Sequence, residues 1–220
     1  MINTLFLGGW YLLTFFGVSN RIRKQNEEYN RQLLAEKPLP PASFIENQAE
    51  LNALCFGRDY TVGYGGCGLI ALYNVFIALG ITAGEKNGGH TSASDLFLTL
   101  ENRLQRRGVA LWGKFGIHPA FLRRLLIEEG LVVRRIKPAK AMDESLSRED
   151  CANTDETYLV TAFTGKRFGS VLHTVCITHA EDGFRVHNGY RREAAPTLAE
   201  AIRGISCAGA TPVYLIGIQK

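Results

Sequence analysis

Apolar residues run along this chain in two rhythms. Up to about residue 130 they recur three and four apart, the spacing of helices, and from Leu131 onward short β-rich runs take over. The densest helical stretch runs from Leu69 to Leu79. It leaves almost no polar face, which predicts a helix buried on most sides. It is entered through Tyr60 to Gly68, YTVGYGGCG, where four glycines crowd about Cys67 and predict a sharp loop ending at the helix N-terminus.

Before it, Ile2 to Val18 is predominantly apolar and the basic run Asn20 to Lys24 follows at once, so a long helix is expected from about Leu5 to Leu34. Lys37-Pro-Leu-Pro-Pro41 ends any helix and reads as a hinge, dividing an arm (residues 1–43) from a body (44–220). In the body, Asn47 to Leu54 predicts a short helix, and Ser92 caps a helix running to about Arg107. Thr82 to His90 reads as a Gly-rich loop with His90 on the surface. Gly108 to Gly116 is a turn region, and Pro119 and Gly130 bracket an amphipathic helix that His118 opens.

The β-rich runs are Leu131 to Ile136, Thr157 to Thr164, Val171 to His179, Phe184 to Asn188 and Pro212 to Gln219. Lys137 to Asp155 between the first two is polar and loop-like, with a helical turn near Ala141 to Leu146. Asp182-Gly183 is expected to turn a hairpin, and Thr197 to Arg203 to form a last short helix. Helices first and an antiparallel meander afterwards make an α+β fold, its helical half packed on its sheet.

Composition narrows the chemistry. At 220 residues, 46% hydrophobic and 21% charged, the chain is of globular type, with a core that needs no staples. A net charge of +4, with arginine pairs scattered among acids, argues against a nucleic-acid partner. The five cysteines, at 55, 67, 151, 176 and 207, form no CxxC pair or zinc knuckle, so neither a metal nor a cofactor is expected. Reduced thiols point to the cytoplasm.

Cys67 stands out because the N-terminus of a helix lowers a thiol's pKa and offers N–H groups to an oxyanion. Its plainer alternative is a buried structural thiol. Alternation along residues 171–179 puts His173, Val175 and Ile177 on one face and Thr174, Cys176 and Thr178 on the other. A pairing centred near Glu181 would bring residue 188 beside 173 or 174, so that the Asn188 side-chain oxygen accepts from the His173 imidazole and fixes its tautomer. His187 then points away from that group.

Cysteine opening a buried helix, then histidine and asparagine on neighbouring strands of a later meander, resembles the papain-like cysteine peptidases. Within them, Cys67-Gly68-Leu69-Ile70-Ala71-Leu72, His173-Thr174-Val175-Cys176-Ile177 and Asn188 are most similar to the bacterial peptidases that trim double-glycine leaders of bacteriocins. The likeness covers roughly residues 50 to 219, including the helix, glycine and strand of 116–136, and leaves out the arm. It implies a papain-like fold and cleavage of a peptide substrate, with Cys67 as nucleophile, His173 as base and then acid, and Asn188 as orienter. It further implies an oxyanion hole from the Cys67 N–H. The family's glutamine six residues before the nucleophile is Thr61 here, which weakens that hole unless Asn52 or the Tyr64 hydroxyl completes it. Asn188 replaces the aspartate usual in the leader peptidases. Gly63, Gly65 and Gly66 are expected to line a narrow substrate groove.

Two other functions stay open: a binding or scaffold protein that keeps the fold without turnover, and an acyltransferase that resolves the same thioester with an amine. For the arm, three placements stay open. It packs on its own domain or a second subunit, it meets a membrane through residues 2–18, or it is a processed leader.

Overall fold

The computed structural model describes residues 2–81, 92–143, 156–165 and 171–220, with side chains from Leu5 onward. The expected 82–90 loop with His90, Cys151, and the 144–146 end of the expected helical turn lie outside these residues. The chain is α+β and divides into two compact units, residues 1–122 and 123–220, with the arm and hinge inside the first.

The first unit opens with α1 (Ile2–Leu12) and a single 3-10 turn, Leu13–Phe15, and α2 (Asn20–Glu36) follows. The single long helix expected from Leu5 to Leu34 is therefore two. Gly17-Val18-Ser19 interrupts it, and the Ser19 hydroxyl accepts from Ile22 N at 3.4 Å as the N-cap of α2. The first helix lies on its own unit. Trp10 is buried and donates through Nε1 to Phe115 O at 3.1 Å, and Tyr11 stacks on Phe121 at 5.6 Å.

A 3-10 turn (Gln48–Leu51) leads to a two-residue hairpin, β1 (Cys55–Phe56) with β2 (Tyr60–Thr61). Then come α3 (Val62–Gly65), α4 (Cys67–Ala78) and α5 (Ala93–Arg107). In α4, nine consecutive residues from Gly68 to Phe76 are buried, as its apolar run predicts. Its one buried amide, Asn74, accepts from Ile45 N at 2.8 Å and donates to Ile45 O at 3.0 Å, so a polar side chain fixes the entering chain as a neighbouring strand would.

The same device holds β1. Asn30 of α2 donates to Cys55 O and accepts from Cys55 N, at 2.9 and 2.8 Å, while Asn26 donates to Gly57 O at 2.7 Å. Behind them, Asn30 and Gln105 both donate to Glu101 Oε1 of α5 at 2.7 Å, and Gln105 Oε1 accepts from Gly57 N and Asn26. Two short ladders of amides thus pin the strand that leads toward Cys67.

The division between units falls within α6 (Pro119–Glu128), where Gly130, at φ +83°, ends the turn that follows. In the second unit, β3 (Val132–Ile136), α7 (Pro138–Ala141), β4 (Thr157–Thr164), β5 (Leu172–Ala180), β6 (Gly183–His187), α8 (Leu198–Arg203) and β7 (Ala210–Gln219) build a five-stranded antiparallel sheet in the order β3-β7-β4-β5-β6. Only β4-β5-β6 is a meander. The last strand returns to the other side of β4, where a bulge between Thr161 and Ala162 accommodates Pro212. Val160, Ala162, Val175, Ile177, Phe184 and Val186 form a core with Leu198, Ala201 and Ile202 of α8. At the other edge, Glu156 accepts from Arg134 at 3.1 and 3.0 Å and from the Tyr158 hydroxyl at 2.8 Å. It lies over Gly217, where any side chain would collide with it.

Candidate active site

Cys67 is the first residue of α4 and is half-buried. The expected loop before it is instead one helical turn. Gly66 N donates to Val62 O at 2.8 Å and closes α3, and Ile70 N donates to Gly66 O at 2.9 Å and opens α4, so the chain kinks at Gly66 just before the thiol. That geometry puts the sulfur at the positive end of a buried helix.

The glycines serve this turn by their size. None of Gly63, Gly65, Gly66 and Gly68 has a positive φ. A Cβ on Gly63 would collide with the Asn52 amide, one on Gly65 would stand 2.7 Å from Gly113 O, one on Gly66 2.6 Å from Val62 O, and one on Gly68 3.1 Å from Ile117 Cβ. Gly65 and Gly66 are buried, so the space their missing side chains leave is filled by the protein itself.

The oxyanion candidates share this segment. Thr61 is half-buried and caps α3, its hydroxyl accepting from Tyr64 N at 3.2 Å, which leaves the hydroxyl proton to donate elsewhere. Tyr64 is exposed, its ring stacked on Tyr60 at 5.1 Å. Asn52 is exposed with its amide against Gly63, whose carbonyl accepts from Gln48 Nε2 at 2.8 Å. Gln48 was not singled out in the sequence, where it reads as one polar residue of a short helix.

In the second unit the structure brings His173 and Asn188 together, by a different atom from the one expected. His173 Nε2 lies 2.7 Å from the backbone carbonyl of Asn188. The register explains it. Cys176 pairs with His187 and Ile177 with Val186, so Asn188 falls opposite Val175 instead of 173 or 174, and the two-residue turn is Glu181-Asp182, with Gly183 already paired to Ala180. Asn188 itself is buried at φ +61°, a left-handed conformation that asparagine tolerates better than most residues, and this aims its carbonyl at the imidazole. Because a carbonyl only accepts, Nε2 carries the proton, and in the neutral ring Nδ1 is the acceptor. His187 lies on the opposite face, as expected, with Nε2 2.9 Å from the Thr178 hydroxyl.

The other described cysteines, like Cys67, carry no disulfide. Burial, helped by Glu101, pushes the Cys55 thiol up, Cys176 is buried and Cys207 is exposed. Among the described residues no group of three His, Cys, Asp or Glu is placed to hold a metal ion. His118, read as a helix-start residue, is buried. Its Nδ1 accepts from Ala120 N at 3.2 Å, its Nε2 lies 3.1 Å from Leu7 O, and burial pushes it down to about 4.

No family model matches this chain, and neither a curated protein nor a solved structure matches it.

Proposed function

We propose that the protein is a cysteine-dependent hydrolase of peptide or amide bonds with a papain-like division of labour. Cys67 is the nucleophile, and His173 takes its proton and later delivers it to the leaving amine. Asn188 keeps the imidazole in the tautomer whose Nδ1 is the base. The observation that supports the reading is the 2.7 Å contact between His173 Nε2 and Asn188 O, since a carbonyl held there fixes the tautomer in which Nδ1 can take a proton. The Cys67 N–H and the Thr61 hydroxyl are the donors proposed for the oxyanion.

The thiols provide the test. Iodoacetamide labelling followed by peptide mass analysis should show Cys67 reacting well below the ordinary thiol pKa of about 8.5. His173→Ala should return the Cys67 profile to the ordinary one. Cys67 labelling only near that ordinary thiol value in the wild type, or a profile indifferent to His173→Ala, would leave a non-catalytic binding role as the better account.

A further inference from the structure

In an ordinary surface helix the exposed face is polar. Here α1 and the turn after it expose Leu5 (71%), Tyr11, Leu12, Phe15 (76%) and Phe16, with only Gly8 and Gly9 between them. A second segment extends this surface. Trp112 N donates to Phe16 O at 2.9 Å, the Phe16 and Trp112 rings lie 6.0 Å apart, and both Trp112 and Phe115 are exposed. Leu111 and Trp112 both hold positive φ, +45° and +55°, so the turn keeps an exposed indole outward in a conformation disfavoured for either residue.

Charge says what covers this surface. No Asp or Glu occurs from residue 1 to 26 or from 102 to 127, whereas Arg21, Lys24 and Lys114 are exposed on the segments that carry the aromatics. The acid next to Trp112 is Asp59, paired at 3.6 Å with Arg58, whose backbone N–H donates to Trp112 O, so the exposed charges on the aromatic segments themselves are cations. Large apolar and aromatic side chains beside such cations match an anionic lipid surface, with rings at headgroup depth and ammonium and guanidinium groups on phosphates. The helix is suited to lie in that interface. Its 11 residues span about 16 Å, roughly half a bilayer core, and no helix among the described residues is long and apolar enough to cross a membrane.

We propose that the surface formed by Leu5, Leu12, Phe15, Phe16, Trp112 and Phe115 seats the protein on anionic membranes, inserted to interfacial depth. The full chain should co-sediment with vesicles of phosphatidylcholine and phosphatidylglycerol, much less with phosphatidylcholine alone, and less as salt is added. Trp112 fluorescence should be quenched by brominated acyl chains, and Trp112→Phe assigns that signal. Phe15→Ser combined with Phe16→Ser changes two exposed rings and should lower partitioning by about tenfold for each. Arg21→Gln with Lys114→Gln should remove the preference for anionic vesicles. Three results overturn the proposal: wild-type protein that stays in the supernatant, a phenylalanine double variant that binds as well as wild type, or wild-type protein that self-associates without lipid and becomes monomeric on the same phenylalanine changes. The last would give the surface to a second copy of the chain.

Discussion

Two buried groups in the first unit titrate against each other, and their sum predicts how stability varies with pH. Glu101 is 1% exposed. Burial pushes its carboxyl up from about 4.5 to about 8, Glu27 adds to the rise, and the amides of Asn30 and Gln105 offset part of it. Below pH 4.5 the carboxyl is protonated in both folded and unfolded chains and costs nothing. Above it the unfolded chain releases the proton first, so stability falls by about 1.4 kcal/mol per pH unit until the folded carboxyl also ionises near 8. His118 acts in the opposite sense. Its folded value near 4 lies below the ordinary 6.5, so its contribution is complete above 6.5 and is lost as pH falls toward 4. Between 4.5 and 6.5 the two slopes oppose, and from 6.5 to 8 only Glu101 acts.

The expected curve is a plateau at mildly acidic pH and a loss of about 2 kcal/mol between pH 6.5 and 8, or about 4–8 °C in melting temperature for a chain of this size. Urea or thermal unfolding at half-unit steps from pH 4 to 8.5 measures it. Glu101→Gln keeps an oxygen to accept from Asn30 and Gln105 but cannot ionise, so its alkaline arm should vanish, leaving stability that rises to pH 6.5 and then stays level. A wild-type curve level from 6.5 to 8, or an alkaline decline that survives Glu101→Gln, would refute the assignment.

Further predictions concern single contacts. Asn74→Ala leaves the Ile45 N–H and carbonyl without their partner inside the first unit and should cost about 2–4 kcal/mol in urea unfolding. Tyr73→Phe removes a buried hydroxyl that has no hydrogen-bond partner among the described residues, and whose pKa burial pushes up to about 12; the melting temperature should rise, with a gain of about 1 kcal/mol. On the mechanism proposed above, Asn188→Gly, which keeps both the left-handed backbone and the carbonyl, should leave the pH profile of Cys67 labelling unchanged and nitrogen spectra still showing His173 protonated at Nε2, whereas Asn188→Val should disturb both. A tenfold slower Cys67 in Asn188→Gly would mean that the asparagine side chain is needed after all.

What could be read from the sequence was what depends on near neighbours. Ser92 caps α5 and accepts from Asp95 N, and Gly108 follows its last turn, because both effects act within four residues. The buried α4 and the strands of the sheet followed from runs of apolar residues in the same way. The broken N-terminal helix was legible in principle, since Gly17 and the capping Ser19 stand in the sequence, but an apolar run passing directly into a polar helix masks a stop. The place of β7 beside β4 was not legible, because strand order depends on pairing between residues some fifty apart.

The candidate site divides along the same line. Cys67 at a helix start and His173 on a strand face were visible in the spacing of their neighbours, but the contact that Asn188 makes with His173 rests on one backbone angle. Asparagine is favoured both as a side-chain acceptor and in the left-handed region, so its identity could not say which of its two oxygens meets the imidazole. One frame-shift in a hairpin decided it, by moving residue 188 opposite Val175. The polar residues that steady the frame are a stronger case. Asn26 and Asn30 on α2, and Glu101 and Gln105 on α5, each stand four apart and read singly as solvated positions. Read as two facing i, i+4 pairs they predict a buried ladder, and a ladder of that kind is how a two-residue strand, too short to be held by pairing alone, is fixed in place ahead of Cys67.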